Sequence, residues 1–411
     1  MRLAFIAGTY QPQHCGVAHY TARLRESLAT KGVSSIVFTT TAAATQMNQD
    51  QVKGVVDNWV LSSLWPLIQA IDQAKPDILH IQHAAGTYDF ERAIFLLPLL
   101  LRLSGWSAPI VTTVHEYGWW EWQPKWIPAV VLESLKTWGQ QRGWWDREDG
   151  FLLTKSNAII TTTTQLEQTI LSRLPDVKPH LHRIEIAANL QNCFELDCGD
   201  RSQARQSLRQ RYGWDANSAV IVFFGFLHPV KGLEMLLAAF QQVSAIVPQS
   251  RLLLMGGVES LALPREQARG YGQKLKQTIA ALNLVNQVKM TGYLEPELIS
   301  AALAGADLGV LPFNHGVTLK SGSLLTLFAH SLPVIATRAH PPEMELENPA
   351  LLRLVPPRNV ADLSSAMIEL LHDPQLRQHM GRTAKEFSQR FSWEQIGDRH
   401  LQIYQQINAY F

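Results

Sequence analysis

Short apolar or β-branched runs alternate with longer stretches of helical periodicity along most of the chain. RLAFIAG reads as a buried strand, and the segment from about Val17 to Lys31 follows as a helix with Val17, Tyr20, Thr21, Leu24 and Leu28 on one face. SSIVFTT, DILHIQH after Pro76, PIVTTVH from Pro109 and NAIITTT at Asn157 predict further strands, each separated by enough chain for a crossover helix. IEIAANL, Ile184–Leu190, closes this set. A second series then runs VIVFFGF, a helix from Lys231 to Ile246, RLLLMGG, a helix around Gln273–Leu282, VKMTGY, a helix through Ile299–Leu303, LGVLPF, a helix near Ser323–His330, and PVIAT.

Two such series predict an α/β protein of two Rossmann-like parallel-sheet domains facing a cleft. At 411 residues the chain is too long for one ordinary core. The polar stretch NCFELDCGDRSQ reads as a linker, giving a first domain over 1–195 and a second over 196–385. In the tail, Leu401, Ile403, Tyr404 and Ile407 recur at helical spacing, so 386–411 is expected to be a helix packing near the domain junction.

Composition narrows the function classes. A 46% hydrophobic fraction describes a folding globular chain, and 36 Lys/Arg against 35 Asp/Glu leave no charged field to recruit nucleic acid. Cys15, Cys193 and Cys198 are too few for a disulfide scaffold, which favours a cytoplasmic setting. The N-terminal run stops at Gly8 and reads as a strand rather than a signal peptide, and AIFLLPLLLRL falls short of the roughly 20 residues that span a bilayer. Peripheral contact with the inner membrane stays open.

The candidate chemistry sits where predicted strands end. The loop GTYQPQHCGVAHYT carries Gly8 at a strand end and Gly16 at a helix start, where backbone can approach a phosphate or sugar; a tight turn is the alternative. GFLHPVKGLE carries Gly225, with Lys231 and Gly232 at the next predicted helix start, a place for a diphosphate. In HGVTLKSGSLLTLFAHSLPVIAT, Gly316, Thr318, Lys320, Gly322 and Ser323 can hold a pyrophosphate or ribose, although a capped helix would need only Ser321 or Ser323. His115 and Glu116 end PIVTTVHE, where the histidine can meet a sugar hydroxyl or serve as a structural residue bonded to backbone. His80 and His83 face opposite sides of one strand, and spacing alone assembles no metal site from His14, His19 and His115. Seven of the twelve tryptophans (119, 120, 122, 126, 138, 144 and 145) fall in one stretch, a sugar- or lipid-contacting platform or ordinary aromatic packing. Neither a G-x-G-x-x-G nor a P-loop string occurs in the required context, which counts against hydride transfer and nucleotide triphosphate hydrolysis.

These residues in this order resemble the family 4 glycosyltransferases, over nearly the whole chain. CGVAHYT is similar to the family's opening acceptor-side loop, IQH to a recurring segment, and VTTVHE to the strand that ends in its catalytic-region histidine. IEIAANL is similar to the IPIGxN segment, with Glu185 and Ala187 at the proline and glycine places. GFLHPVKG matches G-R-x-x-x-x-K-G at Gly225, Lys231 and Gly232, with Phe226 where many members have arginine. The loop and helix at 315–337 resemble the nucleotide-binding helix; Thr318 and Thr326 stand at the places of two glutamates, and Lys320, Ser321, Gly322 and Ser323 partly follow an RRGS-like branch.

The resemblance implies the GT-B arrangement and retaining transfer of a sugar from a nucleotide diphosphate sugar to a glycan or lipid-linked acceptor. Lys231 and Lys320, with N–H groups near Gly316 and Gly322, would stabilise the leaving diphosphate; His115 would orient the sugar or acceptor; the donor's own phosphate would take the acceptor proton. Gly16, Gly225, Gly232, Thr318 and Ser323 complete the expected contacts, and neither metal nor cofactor is required. A catalytically inactive nucleotide-sugar or carbohydrate-binding protein and a sugar-nucleotide epimerase are the alternatives.

Overall fold

The computed structural model describes residues 1–13, 15–47, 49–124, 126–190, 198–259 and 265–409. It divides into two compact units, Met1–Ile186 together with Trp393–Phe411, and Ala187–Ser392. The expected boundary near residue 195, Cys193 and His14 lie outside the described residues.

The first unit is a seven-stranded parallel sheet of β1 (Arg2–Ala7), β2 (Ser34–Thr40), β3 (Val52–Val56), β4 (Ile78–His83), β5 (Ile110–Val114), β6 (Ala158–Thr161) and β7 (Leu181–Arg183), in the order β3-β2-β1-β4-β5-β6-β7. Its helices are α1 (Gly16–Ala29), α2 (Thr41–Met47), α3 (Leu64–Ala74), α4 (Leu97–Leu103), α5 (Ala129–Gln141) and α6 (Thr164–Arg173). β4 is buried along its whole length, as a strand covered on both faces must be. One face, with Ile6, Leu79 and Ile81, enters a core with Trp59, Leu67, Tyr88 and Phe95. The other carries Phe5, His80 and Gln82 and meets the C-terminal helix, Trp393–Asn408.

That helix buries Trp393, Ile396, His400, Ile403 and Tyr404, whereas Leu401 and Ile407 lie at the margin of the expected stripe. Ser27 Oγ of α1 donates to the Trp393 carbonyl at 2.6 Å, and Arg399 pairs with Glu185 at 2.8 Å. IEIAANL is not a strand: the last ladder ends at Arg183, and only the Ile184 N–H continues it, donating to the Thr161 carbonyl at 2.9 Å.

The second unit repeats the plan with β8 (Ala219–Phe224), β9 (Ser250–Met255), β10 (Val288–Met290), β11 (Leu308–Leu311), β12 (Val334–Thr337) and β13 (Arg353–Val355), in the order β10-β9-β8-β11-β12-β13, all parallel. Its helices are α7 (Cys198–Tyr212), α8 (Leu233–Ile246), α9 (Arg265–Ala281), α10 (Pro296–Gly305), α11 (Gly322–Ala329), α12 (Val360–His372) and α13 (Pro374–Ser388). Val220, Ile221, Val222 and Phe223 of β8 are fully buried, each worth roughly 1.5–3 kcal/mol of apolar transfer. Asp307, at the entrance to β11, accepts from the Val220 N–H at 2.8 Å and from buried Arg209 at 2.7 Å, tying α7 to the sheet.

Two helix boundaries differ from expectation. α9 starts well before Gln273 because Ala268, Tyr271 and Leu275 bury one face strongly enough to carry Gly270 and Gly272. α8 starts at Leu233 rather than Lys231: Pro229–Lys231 is a 3₁₀ turn, and Gly232 takes φ 66° before the helix. A side chain at 232 would also collide with the Pro312 carbonyl, so that bend belongs to glycine.

Candidate active site

In both sheets the connections reverse beside the first strand, between β1 and β4 and between β8 and β11. Ligands of open parallel sheets bind beyond the carboxyl ends of strands at such reversals. The predicted residues cluster at these two places.

In the second unit Gly225 follows β8 and Phe313 follows β11. The Lys231 ammonium lies 3.7 Å from the centre of the Phe313 ring. No carboxylate lies within ion-pair distance of it among the described residues, and burial pushes its pKa down to about 8. The Asn314 N–H donates to the Val230 carbonyl at 3.0 Å and its side-chain amide to the Pro229 carbonyl at 3.0 Å, so the lysine turn is fastened to the strand that carries the ring. A Cβ on Gly225 would stand 2.8 Å from Ser323 Oγ, which shows how closely the β8 turn approaches the first turn of α11.

Ser321 caps α11, accepting the Leu324 N–H at 3.2 Å; Gly322 and Ser323 open the helix, whose first N–H groups lack intrahelical acceptors. Lys320 is exposed, and Thr318 and Ser323 are half-buried in the same loop. Gly316 packs against the backbone of Ala339, a structural reason for glycine there. Thr326 is fully buried inside α11 and is not brought to this surface. Glu343 accepts the Leu319 N–H at 2.8 Å and holds the loop from beneath; burial raises its pKa.

In the first unit His115 follows β5 and is only 6% exposed. Its N–H donates to the His83 carbonyl at 2.9 Å, its Nε2 lies 2.9 Å from Gln82 Oε1, and its ring stands edge-on to Tyr20 at 4.9 Å. Gly16 opens α1, and among the described residues nothing lies within 4 Å of where a side chain would begin. His80 faces Phe5, away from His83, as strand alternation requires. His83 instead meets Asp149 at 3.2 Å, both side chains almost wholly buried. Burial alone would push the His83 pKa down, but the charge and hydrogen bond of Asp149 outweigh it and raise it.

The backbone after His115 is held by an acidic turn. Asp146 Oδ1 accepts the N–H groups of Glu148 and Asp149 at 2.9 and 2.8 Å, and its other oxygen accepts the Tyr117 hydroxyl at 2.7 Å. Glu148 accepts the N–H groups of Gly118 and Trp120 at 2.8 and 3.1 Å and pairs with Arg173 at 3.0 Å. The tryptophans divide accordingly. Arg92 stacks on Trp120 at 3.8 Å, whereas Trp119, Trp122 and Trp126 are exposed, as are Trp138 and Trp144, which pack edge-on to each other at 4.7 Å.

Sequence reading missed Gln82, Phe313, Glu343 and the Asp146–Asp149 turn. Gln82 and the acidic string had local signals, lying inside IQH and in D-R-E-D after paired tryptophans; Phe313 and Glu343 had none. Among the described residues no group of three or more His, Cys, Asp or Glu could hold a metal ion, and no helix is long and apolar enough to cross a membrane.

Two parallel sheets with glycine-bearing loops at their strand ends suit a nucleotide-sugar transferase, and comparison with known proteins supplies that class. Residues 15–189 match the family described as Glycosyltransferase Family 4, and residues 204–387 the one described as Glycosyl transferases group 1. The chain is a glycosyltransferase of the GT-B fold, with a family 4 first half. It is 25% identical over 407 residues to D-inositol 3-phosphate glycosyltransferase of Rhodococcus jostii (strain RHA1), covering 95% of this chain and 84% of that one. Sucrose-phosphate synthase from Thermosynechococcus elongatus superimposes with a TM-score of 0.72 at 18% identity over 100% of both chains. Anabaena HepE in complex with UDP and glucose does so with a TM-score of 0.68 at 19% identity over 98% of both.

Proposed function

We propose that the chain transfers a glycosyl group, with retention, from a nucleoside diphosphate sugar held by the second unit to a hydroxyl of a glycan or lipid-linked acceptor held by the first. The bond from the anomeric carbon to the diphosphate breaks, a bond to the acceptor oxygen forms on the same face, and the acceptor proton passes to the departing phosphate. The observation that carries this reading is Lys231, a cation drawn partly out of water, lying on an aromatic ring and lacking a carboxylate partner among the described residues. A diphosphate supplies the missing charge, and supplies more of it as the leaving group departs. Lys320, Ser323, Thr318 and the N–H groups around Gly322 belong to the same loop and helix start, with Gly225 close to Ser323 and Gly232 close to Pro312; the N–H groups of Gly316 and Val317, expected to join them, already donate to the Phe313 and Thr337 carbonyls at 3.0 and 2.8 Å. His115 orients the sugar or the acceptor, and Gly16 leaves room at the start of α1.

Peripheral membrane contact fits the same reading. Trp126 is 79% exposed and Val130 80%, and Val131, Leu135 and Trp138 continue the exposed apolar surface along α5. A lipid-linked acceptor would be met at a bilayer by such a face.

Ligand-detected binding across UDP-, GDP- and ADP-sugars, followed by turnover with the best binder and assignment of the product anomer by NMR, tests the proposal. Product with the donor's anomeric configuration is expected. Binding without transfer to any acceptor would move the chain to the carbohydrate-binding alternative, and an epimerised donor to the epimerase.

A further inference from the structure

Behind His115 runs a buried polar chain that the transfer reaction does not by itself require. His80, Gln82, Thr113, His400 and Tyr404 are each fully buried. Gln82 and His80 stand two apart on β4, so they share a face with Thr113 of the neighbouring strand, where Gln82 and Thr113 are in register. Gln82 turns its carbonyl oxygen to His115 Nε2 at 2.9 Å and its amide nitrogen to His80 Nε2 at 3.1 Å. Thr113 Oγ1 lies 2.8 Å from that same His80 nitrogen, and the Tyr404 hydroxyl 2.6 Å from His80 Nδ1.

With the Gln82 carbonyl oxygen turned to His115 the donors and acceptors close in one direction, and a flipped amide would reverse both tautomers. An amide carbonyl only accepts, so His115 Nε2 carries the hydrogen. The Gln82 amide only donates, so His80 Nε2 is an acceptor, shared with the Thr113 hydroxyl. His80 Nδ1 therefore carries its own hydrogen and gives it to Tyr404. Burial, then the neighbouring His400 and His115, hold the His80 pKa far below its ordinary value, so the ring stays neutral and keeps one donor and one acceptor. The same helix reaches His115 by a second route: His400 Nδ1 donates to the Ile396 carbonyl at 2.8 Å, leaving Nε2 to accept from the Tyr20 hydroxyl at 3.3 Å, and the Tyr20 ring meets the edge of His115.

We infer that Gln82, His80 and Tyr404 are positioning residues that lock His115 in the Nε2–H tautomer, with Nδ1 as its acceptor nitrogen, and that the C-terminal helix is thereby part of the machinery of transfer. The inference rests on the proposed role of His115 in that reaction. It gives a role to the histidine and the tyrosine that the terminal helix buries in its otherwise apolar stripe.

The test is a long-range ¹H–¹⁵N spectrum of the full-length protein at neutral pH, with His115 and His80 assigned from His115→Asn and His80→Asn. A protonated Nε2 at His115 and a protonated Nδ1 at His80 are expected. In Gln82→Glu, which keeps the size, the carboxylate can only accept. His115 should keep Nε2–H while His80 switches its hydrogen to Nε2. In Gln82→Leu, His115 should become a mixture of tautomers, with kcat down about tenfold to a hundredfold and donor KM within about twofold. Wild-type His115 protonated on Nδ1, or a His80 tautomer indifferent to Gln82→Glu in a folded variant, would overturn the inference. The spectra need no turnover, so a locked tautomer in a protein that transfers nothing would remove the transfer role and leave the lock, whereas normal transfer with a mixed tautomer would do the reverse.

Discussion

The two strand-end sites face opposite electrostatic problems. In the second unit, a lysine is held half out of water beside a ring, without a carboxylate partner among the described residues, and glycines keep the surrounding turns close. In the first, His115 is buried and its Nε2 is matched by Gln82, and His83 is matched by Asp149. A site for a highly charged leaving group gains from charge left uncompensated until the ligand arrives. A residue that must present one nitrogen in one direction gains from partners that fix it beforehand. The same fold, used twice, carries both solutions because its strand ends accept very different loops.

The sharpest way to break this contrast is Lys231→Met. Turnover, as kcat/KM for the donor, should fall about a thousandfold, the scale of losing a charge aimed at a leaving group. Stability should not fall with it. The folded pKa of about 8 lies below the ordinary 10.5, so the ammonium is penalised in the native state. Below pH 8 the variant should be more stable than the parent by on the order of 1–3 kcal/mol, a gain that vanishes as pH rises towards the unfolded value. Thermal melts across pH check this, and a variant markedly less stable at pH 7 would contradict the idea of an uncompensated cation.

His115→Ala should lower transfer about a hundredfold while the nucleotide dissociation constant stays within about threefold, because the nucleotide site proposed above lies in the other unit. Equal losses in both would merge the two sites into one. In the parent protein, affinity for the nucleoside diphosphate should weaken above pH 8 by up to about tenfold per unit as Lys231 loses its proton, and Lys231→Met should abolish that dependence. Calorimetric titration at several pH values reads it directly.

Asp146→Ala removes the acceptor for two turn N–H groups and the Tyr117 hydroxyl and should cost about 1–3 kcal/mol by chemical denaturation. The smallest effect should come from Gly16→Ala. No atom of the described residues lies within 4 Å of the added methyl, so the melting temperature should stay within about 1 °C while the acceptor KM rises. A drop in stability would mean that Gly16 serves the fold.

Much of this was legible in one dimension. Strand cores such as AVIVFF are buried on both faces and therefore continuous in sequence, and Gly225, Lys231 and Gly232 announce their turn because a strand end, a charge and a positive φ each demand a residue type. Other features left weaker traces. Leu181–Arg183 and Arg353–Val355 are edge strands of three residues, too short for alternation to show. The helix starting at Leu233 rather than Lys231 depended on a Pro312 carbonyl eighty residues away in the chain.

The sequence by itself determined the two α/β series, the absence of nucleotide-fold fingerprints of other kinds, and the family to which the loops belong, because period, turn chemistry and motif spacing are local properties. Only the tertiary structure decided that Lys231 rests on Phe313, that Glu343 braces the loop before α11, and that Tyr404 reaches His115 through His80 and Gln82. Most of those pairings join groups tens to hundreds of residues apart. Burial and hydrogen-bond direction, which give such pairings their energy, exist only once the strands have been laid side by side.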